Sequence, residues 1–270
     1  MTPSNEHNTI EQLKILLQTK TYAGVPMPKI NGPAAWGVKQ GTKFVKEVAE
    51  LGVKDDYAGF SAHTYDGPSQ ADWHSLIAAA KVIGKAVYNE ESNSAGGGPF
   101  SGKEPPMTNV TRIYSGKSEA YRAGLKGEVF FELWSRGFSK ESRSVYFKKG
   151  QKAERGRGYW MTKAFIEGVY NTHYIAHQNL GEIADIKVMA FSDDKQITAY
   201  VINNSTTKAY NNVLVNVWDK IISSNEIKLK MWNNNTSIKG KESSIKRIDL
   251  ETFMVDIEPS TLSIYTLQIE

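Results

Sequence analysis

Residues 57–91 read YAGFSAHTYDGPSQADWHSLIAAAKVIGKAVYNEE, and this stretch decides the fold class. Tyr57 to His63 is a short strand-like segment, Ala71 to Gly84 is an alanine-rich helical pattern closed by glycine, and Lys85 to Asn89 is a second strand segment. Strand, helix and strand at this spacing make a βαβ unit and so imply a parallel sheet. The rhythm continues on both sides. Ile10, Leu13 and Leu17 share one helix face; Phe44, Val48 and Leu51 share another that stops at Gly52, a C-cap signal. Tyr159 to His177 reads as a fourth helix, and Pro28 to Asn31 and Glu128 to Leu133 as further strands.

After Glu182 the pattern changes. Ile186–Phe191, Ile197–Ile202, Val213–Trp218, Ile227–Trp232, Ile245–Leu250, Phe253–Ile257 and Leu262–Ile269 are short strand-like runs separated by Asp, Asn, Pro and Ser. Such spacing predicts an antiparallel β-sandwich. The expected organisation is therefore an α/β portion over residues 1–183 and a β-sandwich over 184–270. In the sandwich, Tyr200, Trp218 and Trp232 occupy strand patterns and are expected in its core.

Composition narrows the chemistry. The chain has 270 residues, 40% hydrophobic and 23% charged, with no cysteine. A core of ordinary size is affordable, whereas disulfides, thiolate catalysis and Cys-based metal sites are excluded. No apolar run approaches the ~18 residues of a membrane span, so no membrane partner is expected. A net charge of +4 does not by itself point to nucleic acid. Met1 to His7 lack the basic start and apolar stretch of a signal peptide.

The residues at the expected strand ends carry the chemistry. Asn5-Glu6 stands before the first helix, Gly32-Pro33 closes one strand, His63-Thr64-Tyr65 the next, Asn89-Glu90-Glu91 the next, and Trp134-Ser135-Arg136 the last. In parallel β/α barrels the catalytic groups gather at such C-terminal ends. Two glutamates facing each other across a cleft supply an acid and a nucleophile for glycosidic bond cleavage. Singly, Glu6 also fits a helix N-terminal carboxylate, and Glu90 and Glu91 fit solvated loop charges.

The ordered series resembles the second half of a retaining glycoside hydrolase barrel of clan A, such as families 30 and 39 and the agarase/porphyranase family 86. The resemblance implies a partial (β/α)8 TIM barrel, strands 4 to 8, followed by an antiparallel β-sandwich. It implies that Glu6, after Asn5, is the acid/base and that Glu90 is the nucleophile, with Glu91 the alternative. His63 and Tyr65 would orient the nucleophile or touch sugar, and Trp134 would form a sugar-stacking wall. No cofactor and no metal are implied. The chain departs from the family pattern at His7, commonly Pro, and at Asn89, commonly Thr or Ser. Strands one to three are not represented, so a missing N-terminal half or self-association is expected to complete the barrel, and full activity is expected to need it. For a longer polypeptide of this kind, secretion or periplasmic export is expected.

The carbohydrate substrate is less defined. Residues 135–158 read as a long loop with eight basic residues, Arg136 among them, against two acidic ones, a net of +6. Beside a sugar cleft this favours an anionic, sulfated or uronic, polymer; as a solvated loop it has no such role. Residues 92–116, with Gly96-Gly97-Gly98, read as a second long loop. His173 and His177, four apart on the expected helix, lack a third metal ligand. A different class of function, glycan binding or scaffolding without cleavage, fits the same barrel remnant.

Overall fold

The computed structural model describes residues 2–93, 104–131, 134–136, 145–147, 150, 152–176 and 183–270; for residues 134–136, 146 and 147 only the backbone is described. The chain divides into two compact units: Met1–Ser92 with Glu119–Phe131, and Asn93–Ser118 with Glu132–Glu270.

The first unit opens with α1 (Pro3–Leu17). It then runs through β1 (Asn31–Ala35), α2 (Val38–Leu51), β2 (Gly59–Ala62), α3 (Gln70–Val82) and β3 (Ala86–Ser92), and ends at β4 (Gly127–Phe130). The four strands lie in the order β1-β2-β3-β4, and every neighbouring pair is parallel. This is a β/α-barrel portion with four parallel strands, because the Asn5-Glu6 segment that the sequence places at a strand end is helical instead. Two signals start that helix early: the Thr2 hydroxyl accepts the Asn5 N–H (3.4 Å), and Pro3 stands at the first helical position.

Local chemistry explains the other two helices. Gly52 ends α2 with a left-handed φ of 72°, where a glycine has no Cβ penalty. Val38, Phe44, Val45 and Val48 bury one face of α2. Gly41 lets that face close on the sheet, since a Cβ there would stand 3.3 Å from the Ala62 Cβ. Ser69 and Asp72 form a reciprocal capping box at the start of α3, which buries Trp73, Leu76 and Ala80.

In the second unit, Ile186–Ser192 (β9), Gln196–Asn203 (β10), Glu226–Trp232 (β12), Lys241–Lys246 (β13) and Thr261–Gln268 (β15) join His173–Ile175 (β8) in a six-stranded sheet, order β13-β12-β15-β10-β9-β8. A two-stranded sheet of Tyr210–Asn216 (β11) and Thr252–Ile257 (β14) completes a sandwich. Ile197, Ala199, Val201, Phe253, Val255, Tyr265 and Leu267 lie in its core. The opposite face of β9 and β10 packs on α5 (Arg157–Val169): Phe165 lies 5.3 Å from the Tyr200 ring and 6.3 Å from Phe191. A three-stranded sheet of Trp134–Arg136 (β5), Val145–Phe147 (β6) and Glu154–Arg155 (β7) belongs to the same unit.

Four expectations change. Residues 107–116, expected in a loop, lie in α4 (Met107–Ala123). The expected loop over 135–158 contains β6 and β7 and continues β5. His173 lies in β8 instead of a helix, and His177 lies outside the described residues. Trp218 is 59% exposed, whereas Tyr200 and Trp232 are fully buried.

Candidate active site

In the first unit, a cluster of polar and aromatic groups lies where β1, β2 and β3 end. His63 follows β2 directly, and its backbone N–H donates to the Ala35 carbonyl (2.7 Å), tying the ends of β1 and β2 together. Tyr65 lies two residues further on. On β3, the pairing with β4 shifts register between Asn89 and Ser92, and the Glu91 N–H donates to the Asn89 Oδ1 (3.2 Å). That irregularity decides which glutamate turns toward β2. The Tyr65 hydroxyl donates to Glu91 Oε2, and His63 Nδ1 lies 3.2 Å from the same oxygen. The His63 and Tyr65 rings meet edge to face at 5.6 Å. Donation to Glu91, reinforced by burial, pushes the Tyr65 phenol up to about 12, so it stays a donor across the neutral range. Glu90, preferred on sequence grounds, is half-buried and has no hydrogen bond or ion pair among the described residues. The structure thus joins His63, Tyr65 and Glu91.

Glu6 stands elsewhere. Its carboxylate accepts the Tyr57 hydroxyl (3.1 Å), and a Cβ at Gly32 would lie 3.0 Å from Glu6 Oε2. Gly32 is opposite Phe60, which is opposite Val87, four residues before Glu91. At about 3.3 Å per residue that is a backbone offset of roughly 13 Å along the strands. Glu6 sits in the first turn of α1 and not at the strand end that the sequence suggests. Burial raises the Glu6 pKa, with the Tyr57 hydrogen bond pulling the other way. The Tyr57 phenol is itself pushed up by burial and by Glu6. Tyr57→Phe removes the group that favours ionised Glu6, so the Glu6 titration midpoint is expected to rise further. Carboxyl-carbon NMR titration checks this; a fall or no change contradicts it.

The remaining expected residues separate. Asn5 is exposed in the first turn of α1. Trp134 and Arg136 pair in backbone register with Val145 and Phe147, and their side chains lie outside the described residues. Within the basic run, Arg157 is buried with Nη1 donating to the Pro105 carbonyl (2.9 Å), and Arg155 stacks on Tyr159 at 4.7 Å. These two cations serve packing.

His7, Glu11 and Asp56 bring potential metal-ligating atoms within 4.8 Å of one another. Lys14 already donates to Glu11 (2.6 Å) and Asp56 (3.0 Å), and His7 Nδ1 meets Asp56 Oδ2 at 2.5 Å. Burial opposes ionisation of Asp56, but the His7 and Lys14 bonds outweigh it and hold the carboxyl below its ordinary range. Lys14 bridges the two carboxylates, and the cluster pins α1 to the turn before β2.

Two features escaped the sequence reading. Trp36, just after β1, is 62% exposed and lies 5.9 Å from the Tyr65 ring; its place beyond Gly32-Pro33 was the available signal. Glu91 is the other: an apolar strand, one small polar residue and then Glu is the pattern that puts Glu90 first in the sequence, and that pattern carries no sign of a register shift.

No protein-family model matches the chain. One curated relative, a tRNA uridine(34) hydroxylase of Mesorhizobium japonicum, is 30% identical over 103 residues, 38% of this chain and 32% of that protein. Among solved structures, the glycoside hydrolase family 30 subfamily 8 xylanase of Clostridium acetobutylicum superposes with a TM-score of 0.72 at 13% identity, over 99% of this chain and 61% of that one. A β-porphyranase of glycoside hydrolase family 86 from Bacteroides plebeius gives 0.53 at 14% identity, over 98% and 53%. The chain spans about three fifths of the length of the xylanase it matches. What these likenesses establish is the fold, a β/α-barrel portion with a β-sandwich as found in glycoside hydrolases.

Proposed function

We propose that this chain carries the nucleophile half of a retaining glycoside hydrolase acting on a polysaccharide or oligosaccharide. The observation that supports it most is Glu91 at a barrel-strand end, held by the Tyr65 hydroxyl and His63. The Tyr65 hydroxyl, with His63 Nδ1 beside the same oxygen, orients that oxygen and leaves the other to react, as a positioned nucleophile requires. A Glu91 oxygen attacks the anomeric carbon as the bond to the leaving oxygen breaks, giving a glycosyl ester. An acid protonates the departing oxygen, then takes a proton from water, which attacks the same carbon and releases Glu91.

For the acid/base we propose Glu6, whose burial favours the protonated form that the first step needs. The role requires the first turn of α1 to open into a strand-end loop. That turn is held by the 3.4 Å Thr2–Asn5 cap and by the Thr9 hydroxyl on the Asn5 carbonyl. A second reading, glycan binding without cleavage, is favoured by the helical placement of Glu6, away from a strand end. As to substrate, an anionic glycan is the reading that the basic composition of residues 135–158, a net of +6, supports.

Proton NMR of digests of xylohexaose, neoagarohexaose and sulfated oligosaccharides tests the reading. The first product anomer is expected to keep the configuration of the bond cleaved. Inversion contradicts the reading, and binding without turnover, unchanged in Glu91→Gln, establishes the second one.

A further inference from the structure

We propose that Trp36 is a sugar-stacking residue, forming with Tyr65 a platform for one pyranose ring beside Glu91, and that Asp66 is the positioning residue that sets it. The inference rests on the hydrolase reading and deepens it by naming what holds the ring.

Trp36 and Tyr65 are 62% and 55% exposed, and their rings are tilted by 31° at a 5.9 Å centroid distance. Neither face is consumed by the other at that angle, so the pair offers solvent a continuous apolar wall. Exposed large aromatics of this kind mark binding sites. Tyr65 is also the group that donates to Glu91, so the wall begins one side-chain length from the carboxylate. The ligand class follows from this: a ring with one face of C–H groups to lie on the aromatics and a rim of hydroxyls for polar neighbours. A pyranose has both.

The wall is built, not incidental. Gly37 is the N-cap of α2 and has no side chain to cap the helix. Asp66, next after Tyr65, does so from the other strand end, its Oδ2 accepting the Lys39 N–H at 3.0 Å. A Cβ at Gly37 would lie 2.4 Å from the Asp66 Cγ, so only glycine lets the carboxylate come so close. Asp66 Oδ1 is shielded from solvent without a partner among the described residues. Through this bond to Lys39, three residues after Trp36, Asp66 ties the first turn of α2 to the segment that carries Tyr65 and so sets the two rings side by side.

The test is calorimetric titration of the chain with xylohexaose and with neoagarohexaose, with hydrolysis followed in parallel. Trp36→Ala is expected to weaken binding about tenfold or more and to raise KM for the oligosaccharide, and Trp36→Phe to restore most of the affinity. Asp66→Ala is expected to weaken binding and to alter the near-ultraviolet circular dichroism of the Trp36–Tyr65 pair, a readout independent of ligand. If the native chain cleaves either oligosaccharide and Trp36→Ala binds as tightly, the platform is wrong and the hydrolase reading stands. If the native chain neither binds nor cleaves either probe, both are wrong.

Discussion

Glu91→Gln is expected to cut glycoside turnover on the order of 10⁴-fold with folding and oligosaccharide affinity preserved, while Glu90→Gln changes turnover by about two- to threefold at most. The asymmetry follows from the two side chains' surroundings. Glutamine matches glutamate in shape and still accepts the Tyr65 hydroxyl, so packing at the strand end survives. It cannot supply the anionic oxygen that attacks the anomeric carbon. Glu90 meets neither His63 nor Tyr65, so its replacement removes only a partly solvated charge. Rates of both variants on the cleaved oligosaccharide, with calorimetric affinities, check the prediction. Comparable losses in the two variants would remove the basis for choosing between them.

The largest stability effect is expected in the sandwich. Trp232 is fully buried at the end of β12, where it pairs with Leu262 of β15, and its indole N–H donates to the Ile238 carbonyl (3.2 Å). Gly240, with φ at 82°, lets the following turn lie on the ring, since a Cβ there would stand 2.7 Å from the indole. Trp232→Ala empties this site and leaves the carbonyl unpaired, and is expected to cost about 3–5 kcal/mol. The matching fall in Tm is roughly 6–20 °C, read by scanning calorimetry. Trp218→Ala, at an exposed turn, is expected to cost less than about 0.5 kcal/mol. Equal effects would mean that the burial of Trp232 is misjudged.

The contrast between these tryptophans shows where sequence reading ran out. Both stand in strand-like runs, but β11 ends at Asn216, and Asp219 turns the chain with φ at 63°; hydrophobicity does not report such a turn. β13 lies four residues earlier than its apolar run suggested, because KESSIK is an edge strand with five of its six residues exposed, and edge strands need no apolar alternation. The helix α4 was hidden by its polar interior face. Thr111, Ser115, Lys117 and Ser118 are buried beside Val110 and Tyr114, so the apolar period was too thin to outweigh the glycines before it.

What was legible rested on strong local signals. Gly52 stopped α2 where expected, the βαβ rhythm from Tyr57 to Asn89 gave β2, α3 and β3, and His63-x-Tyr65 marked a strand end that does hold a carboxylate. The identity of that carboxylate was not legible. A register shift of β3 against β4 turns Glu91 toward His63, and such shifts depend on tertiary pairing. Glu6 was misplaced for a local reason, since Thr2 and Pro3 together start a helix ahead of it.

The central claim is that Glu91 is the group that bonds to sugar. It is tested most directly by incubating the chain with a 2-deoxy-2-fluoro-xylobioside carrying a good leaving group, which slows release of a glycosyl ester, and mapping the adduct by mass spectrometry. A single ester on Glu91, absent from Glu91→Gln, is expected. An ester on Glu90, or none on the native chain, would contradict it.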